Sequence, residues 1–444
     1  MGIGGTGQRS DRVAGRCDVR TLLLGSGGRE SALAWALNRS SMVDDVVVAP
    51  GNGGIASFAT VVDVDPADAS QVLELASELK PGLVVIGPEA PLVAGVGDAL
   101  RSSGYTVFGP EAAAARLEGS KTHAKQLMND AGIKTARSRT FDSLPEAVEF
   151  LDRLGPPYVV KADGLAAGKG VVVTEDRGEA VVALEERIVG GSFGDAGRRV
   201  LIEEFLAGEE ASLIAFTDGK SVVACEPAQD YKRVYDGDQG PNTGGMGSYS
   251  PVPACPPALA DQITAEIIEP MLRATSAAGA PFVGAIYAGL ALTNEGPTVI
   301  EFNARFGDPE TQALIPRLRS DFAEVALASA VGELAGTKLE WLPQCCVSVV
   351  VASSGYPGAY DTDFAIEGLE DVSQMEGVVA FHAGTRRGDS GIVTSGGRVL
   401  AVSGLGNTFA DARSRAYRAV DTIEFEGKHF RTDIAQRAEQ MEAS

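Results

Sequence analysis

Histidine is scarce in this chain, with three among 444 residues, which leaves little from which to build a histidine-based metal centre. The five cysteines (Cys17, Cys225, Cys255, Cys345 and Cys346) show no CxxC spacing. Their odd count fits a reduced compartment, so a cytoplasmic location is expected. Basic residues are few: 38 Lys and Arg stand against 60 Asp and Glu, a net charge of −22. That balance argues against nucleic acid or an anionic membrane as partner. If the protein handles phosphates, a few placed lysines, arginines and backbone amides must do the work. No apolar stretch approaches the ~20 residues needed to span a bilayer. The opening "MGIGGTGQRSDRVAGRCDVR" lacks the apolar core of a secretory signal, and residues 1–18 are read as a disordered leader.

What is present is the composition of an ordinary globular protein, 44% apolar and 22% charged. Its length calls for several domains, since a single core rarely grows past roughly 250–300 residues. From Val19 to Pro110, "TLLLG", "DDVVVAP", "LVVIGPE" and "YTVFGP" read as buried strands, with helices in "ESALAWALNRS" and "DASQVLELASELK". Such alternation predicts a parallel, doubly wound α/β sheet whose ligands bind beyond the strands' carboxyl ends. Those ends carry "GSGGRE" (25–30), "APGNGG" (49–54) and "GPEAPL" (87–92). Gly25 and Gly27 satisfy half of a dinucleotide fingerprint, but Glu30 stands where its third glycine belongs and would face a pyrophosphate. The small residues better suit a backbone approaching a smaller ligand, with Glu30 and Glu89 available for hydroxyls or an amine.

Farther along, "KADGLAAGKG" (161–170) places Lys161 and Lys169 beside Gly164, Gly168 and Gly170. A phosphate loop of the Walker type needs four residues between its glycines and Ser or Thr after the lysine, and neither is met. Residues 111–135 read as one long helix with Lys121 near a bend. Asp218–Gly219 reads as a tight hairpin turn, residues 228–251 as a long polar loop, and "TNEGP" as the turn of another hairpin. The C-terminal part, from about Cys345, is again mixed α/β, with a helix near 408–422.

Glu301, Asn303 and Arg305 in "EFNARFGDPET" are spaced by two, so an extended backbone puts them on one face. A carboxylate beside an amide oxygen suits Mg²⁺ shared with substrate phosphates, and the arginine would face a transferring phosphoryl group. Taken alone, the same pattern fits a solvated strand edge. "EEFLAGEE" (203–210) is either a solvated turn or an adenine hinge. In the second reading, main chain near Glu204 and Leu206 meets the base, and Glu210 accepts ribose hydroxyls.

Two lysines on flanking segments, a Gly-rich flap, an acidic hinge and a metal strand, in that order, resemble the ATP-grasp superfamily. More narrowly, "GSGGRE", "APGNGG", "LEGSK", "VVKADGLAAGKGV", "DYKRVYDGDQGPNTGGMGSYSP", "IEFNARFGDPETQ" and "FHAGT" occur in the order found in the phosphoribosylamine–glycine ligase family. The resemblance runs from about residue 19 to about 433.

It implies an N-terminal phosphoribosylamine-binding domain (19–121) with a Rossmann-like parallel sheet. A two-lobed α+β ATP-grasp domain (122–342) with a lid lobe near 137–207 follows, and then a small mixed α/β domain (343–436). It also implies an ADP-forming ligase acting on glycine, phosphoribosylamine and ATP with Mg²⁺ or Mn²⁺, working as a monomer. Lys121, Lys161, Gly168, Lys169 and Gly170 would hold the ATP phosphates. Glu203, Glu204, Phe205, Leu206 and Glu210 would hold adenosine, and Glu301 and Asn303 the metal. Arg305 and Lys169 would act in catalysis. Gly27, Gly28, Glu30, Asn52, Pro88 and Glu89 would take phosphoribosylamine, with Asp230 and Lys232 at the glycine end.

Ser26, Ser31, Tyr231 and Ala304 depart from residues common in that family, and "YAGLAL" supplies no third metal-binding acid. The alternatives are another ATP-grasp carboxylate–amine ligase and a non-catalytic nucleotide-binding module. Retention of Glu301, Asn303 and Arg305 speaks against the module.

Overall fold

The computed structural model describes residues 19–166, 170–190, 198–389 and 391–443. The expected leader at 1–18, and Gly168 and Lys169 of the expected flap, lie outside the described residues.

Five parallel strands form the first sheet: β1 (Val19–Gly25), β2 (Val43–Pro50), β3 (Thr60–Val61), β4 (Leu83–Ile86) and β5 (Val107–Phe108). Their order is β3-β2-β1-β4-β5. Consecutive apolar residues are used because both faces are covered, and Leu22, Leu23 and Leu24 are all fully buried. Helix α1 (Gly28–Arg39) follows β1, and helix Ala69–Leu79 starts where the Asp68 carboxylate accepts the Ser70 and Gln71 amides. Strand order reverses between β1 and β4, which opens a crevice beyond Gly25 and Ile86.

An antiparallel sheet in the order β6-β9-β7-β8 comes next, from β6 (Ser138–Phe141), β7 (Tyr158–Ala162), β8 (Val171–Thr174) and β9 (Val200–Glu203). Helices Leu144–Leu154 and Arg177–Ile188 pack on it through Leu151, Leu184, Val160 and Ile202. The helix expected across 111–135 is instead two, Ala112–Gly119 and Lys121–Asp130. Ser120 breaks them with extended φ/ψ of −146°/109°, and its hydroxyl accepts the His123 amide at 3.2 Å. Lys121 therefore opens a new helix.

β10 (Glu209–Asp218) and β11 (Val222–Ala224) are joined by a turn in which Asp218 Oδ1 accepts the Lys220 and Ser221 amides. Residues 228–251, expected as one long loop, contain four short strands: β12 (Gln229–Asp230), β13 (Arg233–Tyr235), β14 (Gln239–Asn242) and β15 (Gly247–Ser250). Their polar composition hides β12–β14, which pair within the segment, and β15 also needs a remote partner, Cys346–Val349. β16 (Val283–Thr293) and β17 (Gly296–Asn303) make the expected hairpin and complete a sheet ordered β11-β10-β16-β17.

The last sheet uses β18 (Cys345–Ser353), β19 (Val378–His382), β22 (Arg398–Gly406) and β23 (Lys428–His429), with β20 (Thr385–Gly388) and β21 (Gly391–Thr394) as a separate hairpin. Its order, β12-β15-β18-β22-β19, takes strands from both the 229–250 segment and the C-terminal part. Helix Phe409–Thr422 covers one face. No described helix is long and apolar enough to cross a membrane.

Candidate active site

A cleft of about 1120 Å³ lies between the β6–β9 sheet, the β10–β17 sheet and the end of helix Ala112–Gly119. Strand β17 presents Glu301 and Asn303 into it, and Arg305 follows just beyond the strand. The alternation expected of an extended chain therefore holds. The intervening Phe302 and Ala304 are buried in the core. Glu301 is half-buried, and its carboxylate accepts no hydrogen bond among the described residues. Burial would raise its pKa, but Lys232, Lys161, Lys121 and Arg305 outweigh that and lower it, so the group is anionic.

Across the hairpin Asn303 pairs with Tyr287 and Glu301 with Gly289, so β16 sets no acid opposite either residue. Among the described residues no cluster of three or more His, Cys, Asp or Glu could hold a metal ion. One free carboxylate and one amide oxygen still fit a hard cation that keeps waters and shares phosphate oxygens.

At the nucleotide end, Lys161 is buried and its ammonium is paired with Glu203. The other Glu203 oxygen is 2.7 Å from Lys125 Nζ, so the whole carboxylate is held between two lysines. Its pKa is lowered: burial acts upward, but Lys161 and Lys125 prevail. The Glu203 side chain is thus committed within the protein, although the residue still borders the cleft. Glu204 is tied to Arg137, whose amide and Nε approach its carboxylate at 2.9 and 2.7 Å. Phe205 is exposed, Leu206 is half-buried, and both line the cleft. Lys121 Nζ donates to the Gly164 carbonyl at 3.1 Å, touching the start of the Gly-rich segment, and Gly170 at its far end also lines the cleft.

Lys232 Nζ sits 2.5 Å from Glu210 Oε2, so Glu210 faces the glycine-end candidates as well as the hinge. Asp230 stands beside them. Burial, reinforced by Glu310, Glu210 and Glu301 against the pull of Lys232, pushes its carboxyl up to about 7.

The N-terminal crevice is different. Gly27, Gly28, Glu30, Asn52 and Pro88 do not line the large cleft, whereas Arg29 and Glu89 do. Glu30 is buried, with Oε2 accepting the Gly27 amide at 2.6 Å and Oε1 against Arg29 Nε at 2.5 Å. It closes its own turn and is not aimed at a ligand. This also explains Gly25, at φ +124°, where a Cβ would lie 2.5 Å from Glu30 Cγ. Asn52 is likewise fully used: Nδ2 donates to the Ser26 and His382 carbonyls, both at 2.8 Å, while Oδ1 accepts the Gly54 and Ile55 amides. It staples two crevice loops to the C-terminal sheet. Glu89 alone among the side chains expected here reaches the cleft. Burial pushes its pKa up, but Arg305 and Arg29 overcome that and hold it at about 2.

Several site residues were not singled out from the sequence. Arg29 bridges Glu30 and, at 3.9 Å, Glu89. Glu118 contacts Arg305 at 2.6 Å. Glu310 is buried, accepting from Tyr287 at 2.8 Å and Ser212 at 3.1 Å. Asp308 accepts the Arg29 amide at 3.3 Å and lies 3.3 Å from Arg398. Asp308 and Glu310 lie inside "EFNARFGDPET", Glu118 inside "LEGSK" and Arg29 inside "GSGGRE", so in each case the motif was the signal.

Family models for phosphoribosylglycinamide synthetase match along the chain: the N domain at residues 19–118, the ATP-grasp domain at 119–311 and the C domain at 346–437. Phosphoribosylamine–glycine ligase of Rhodopirellula baltica is 48% identical over 424 residues, covering 94% of this chain and 97% of that protein. The Streptomyces coelicolor enzyme of the same name is 49% identical over 423 residues, covering 95% and 99%. The crystal structure of phosphoribosylamine–glycine ligase from Thermotoga maritima superposes with a TM-score of 0.82 at 35% identity, covering 94% of this chain and all of that one. A biotin carboxylase domain from Hydrogenobacter thermophilus shares the fold, with a TM-score of 0.72 at 17% identity and coverage of 94% and 92%. By sequence and by structure, the chain belongs to the phosphoribosylglycinamide synthetase family.

Proposed function

We propose that the protein is an ATP-dependent ligase that joins glycine to 5-phosphoribosylamine, giving glycinamide ribonucleotide, ADP and phosphate in purine biosynthesis. The observation that carries this reading is the convergence of Glu301, Asn303 and Arg305 with Lys121 and Lys161 on one cleft, in a chain of this family. The glycine carboxylate attacks the γ-phosphorus of ATP, ADP leaves, and glycyl phosphate forms. The amine of phosphoribosylamine then attacks the acyl carbon, expelling phosphate and losing a proton.

Glu301 and Asn303 would hold Mg²⁺ or Mn²⁺, which neutralises phosphate charge when bound. Lys121 and Lys161 supply further positive charge along the nucleotide, and Arg305 faces the acyl phosphate. The backbone of residues 203–206 meets the adenine. Lys232 and Asp230 would take the carboxylate and the ammonium of a zwitterionic amino acid. Glu89 reaches from the N-terminal crevice toward Arg305, which puts the amine substrate next to the acyl phosphate. The work is positioning and charge neutralisation, as is general in phosphoryl transfer. Acyl phosphates hydrolyse readily, so water must be excluded while one is present. We assign that closure to residues 164–170, including Gly168 and Lys169. We also propose a cytoplasmic monomer, and domain limits near 121 and 342.

The reading is tested by ADP release from ATP in the presence of Mg²⁺. Turnover that needs glycine and phosphoribosylamine together supports it. Turnover with a different carboxylate or amine, and none with this pair, favours another ligase of the superfamily.

A further inference from the structure

Arg305 meets a buried carboxylate that the family resemblance did not bring forward. Glu118 ends the helix Ala112–Gly119, two residues before Ser120 restarts the chain as the helix that begins with Lys121. Both of its oxygens go to the end of the metal strand. Oε1 accepts Arg305 Nη2 at 2.6 Å, and Oε2 accepts the Ala304 amide at 2.7 Å. One side chain therefore fixes the backbone at 304 and the guanidinium at 305 together.

We propose that Glu118 is a positioning residue, which aims the Arg305 guanidinium at the transferring phosphoryl group. The inference rests on the ligase reading above. Arg305 Nη2 also donates to the Asn303 amide oxygen, at 3.3 Å. Without Glu118 that longer contact is the one left to Nη2, and the guanidinium loses its aim. Arg305 Nη1 and Nε are held by the Phe306 carbonyl at 3.3 Å and by Glu89 at 3.2 Å, both longer contacts than that to Glu118. Charge-assisted contacts of this length are the strong ones, and a bridging pair adds directional precision.

Stability alone does not account for a carboxylate here. Burial raises the Glu118 pKa despite the Arg305 charge, and apolar groups commonly replace a buried ion pair without loss.

The test is a double-mutant cycle of Glu118→Gln with Arg305→Lys, read as kcat and KM for each substrate. Glutamine keeps the size and an acceptor for the Ala304 amide but removes the charge. The single variant is expected to lower kcat about 30-fold with KM for ATP within about 2-fold, because the lost interaction serves the transition state. In the Arg305→Lys background the same change should cost less than about 3-fold, since the planar guanidinium and the Nη2 donor that Glu118 holds are already gone. Equal costs in both backgrounds, or a single-variant loss under about 3-fold, overturn the proposal. Should Glu118→Gln not fold, the cycle run with Glu118→Asp, one methylene shorter, reads the same coupling. Wild-type turnover is the control: if it does not need glycine and phosphoribosylamine, the ligase reading and this proposal fall together. An active wild type with an additive cycle overturns this proposal alone.

Discussion

Glu89 and Arg305 are 216 residues apart in sequence, and Glu89 Oε2 accepts Arg305 Nε at 3.2 Å. The contact joins the start of the helix Glu89–Val93, which follows β4, to the segment just past β17, and hence the crevice assigned to the amine substrate to the segment assigned to the acyl phosphate. From sequence alone, Glu89 looks like a contact to one substrate. Its pairing with Arg305 gives it a second role. Glu89→Ala should raise KM for phosphoribosylamine about 10-fold and also lower kcat about 10-fold, while KM for ATP stays within about 2-fold. Steady-state kinetics with each substrate varied in turn checks this. A selective effect on ATP would contradict it.

The same pair predicts a pH dependence of stability. Glu89 is held at about 2 in the folded protein against an ordinary value of 4.5. Between those values the unfolded chain binds more protons, so stability falls as pH falls. The contribution is fully present above pH 4.5 and is lost toward pH 2. Urea unfolding at pH 5 and pH 3 should show the wild type losing about 1–2 kcal/mol more than Glu89→Gln. Parallel losses would show that the carboxylate is not held by Arg305 and Arg29.

The C-terminal sheet is expected to depend on a crevice glycine. Gly54 has ordinary backbone angles, but a methyl there would overlap the His382 ring, which also lies 3.0 Å from the Thr385 hydroxyl through Nδ1. Gly54→Ala should destabilise the protein by about 2 kcal/mol through overpacking, measured by urea unfolding. An unchanged midpoint would mean that the 382–385 segment yields freely.

Elements with apolar runs or a clear turn signal were the legible ones. The apolar runs of β1, β2 and β4 marked a sheet covered on both faces, and "TNEGP" marked the turn between β16 and β17. β15 was hidden because "GSYS" becomes a strand only against Cys346–Val349. The break at Ser120 was hidden because alanines and leucines on either side both favour helix, and only the cap decides.

At the site, the two-residue spacing of Glu301, Asn303 and Arg305 placed them correctly on one face. Local composition could not tell whether an acid meets a ligand or the protein. Glu30 turned inward to close its own loop, and Glu203 is taken by Lys125 and Lys161. Those outcomes are set by neighbours, Arg29 for Glu30 and Lys125 and Lys161 for Glu203.

The central claim is that the glycine carboxylate takes the γ-phosphate before the amide bond forms. Glycine carrying ¹⁸O in its carboxyl group tests this most directly, with the phosphate released in a wild-type turnover analysed by mass. Attack by the carboxylate leaves one of its oxygens on phosphorus, so each released phosphate should carry one ¹⁸O. Phosphate without label, formed at the same rate as glycinamide ribonucleotide, would contradict an acyl phosphate and with it the role given to Arg305.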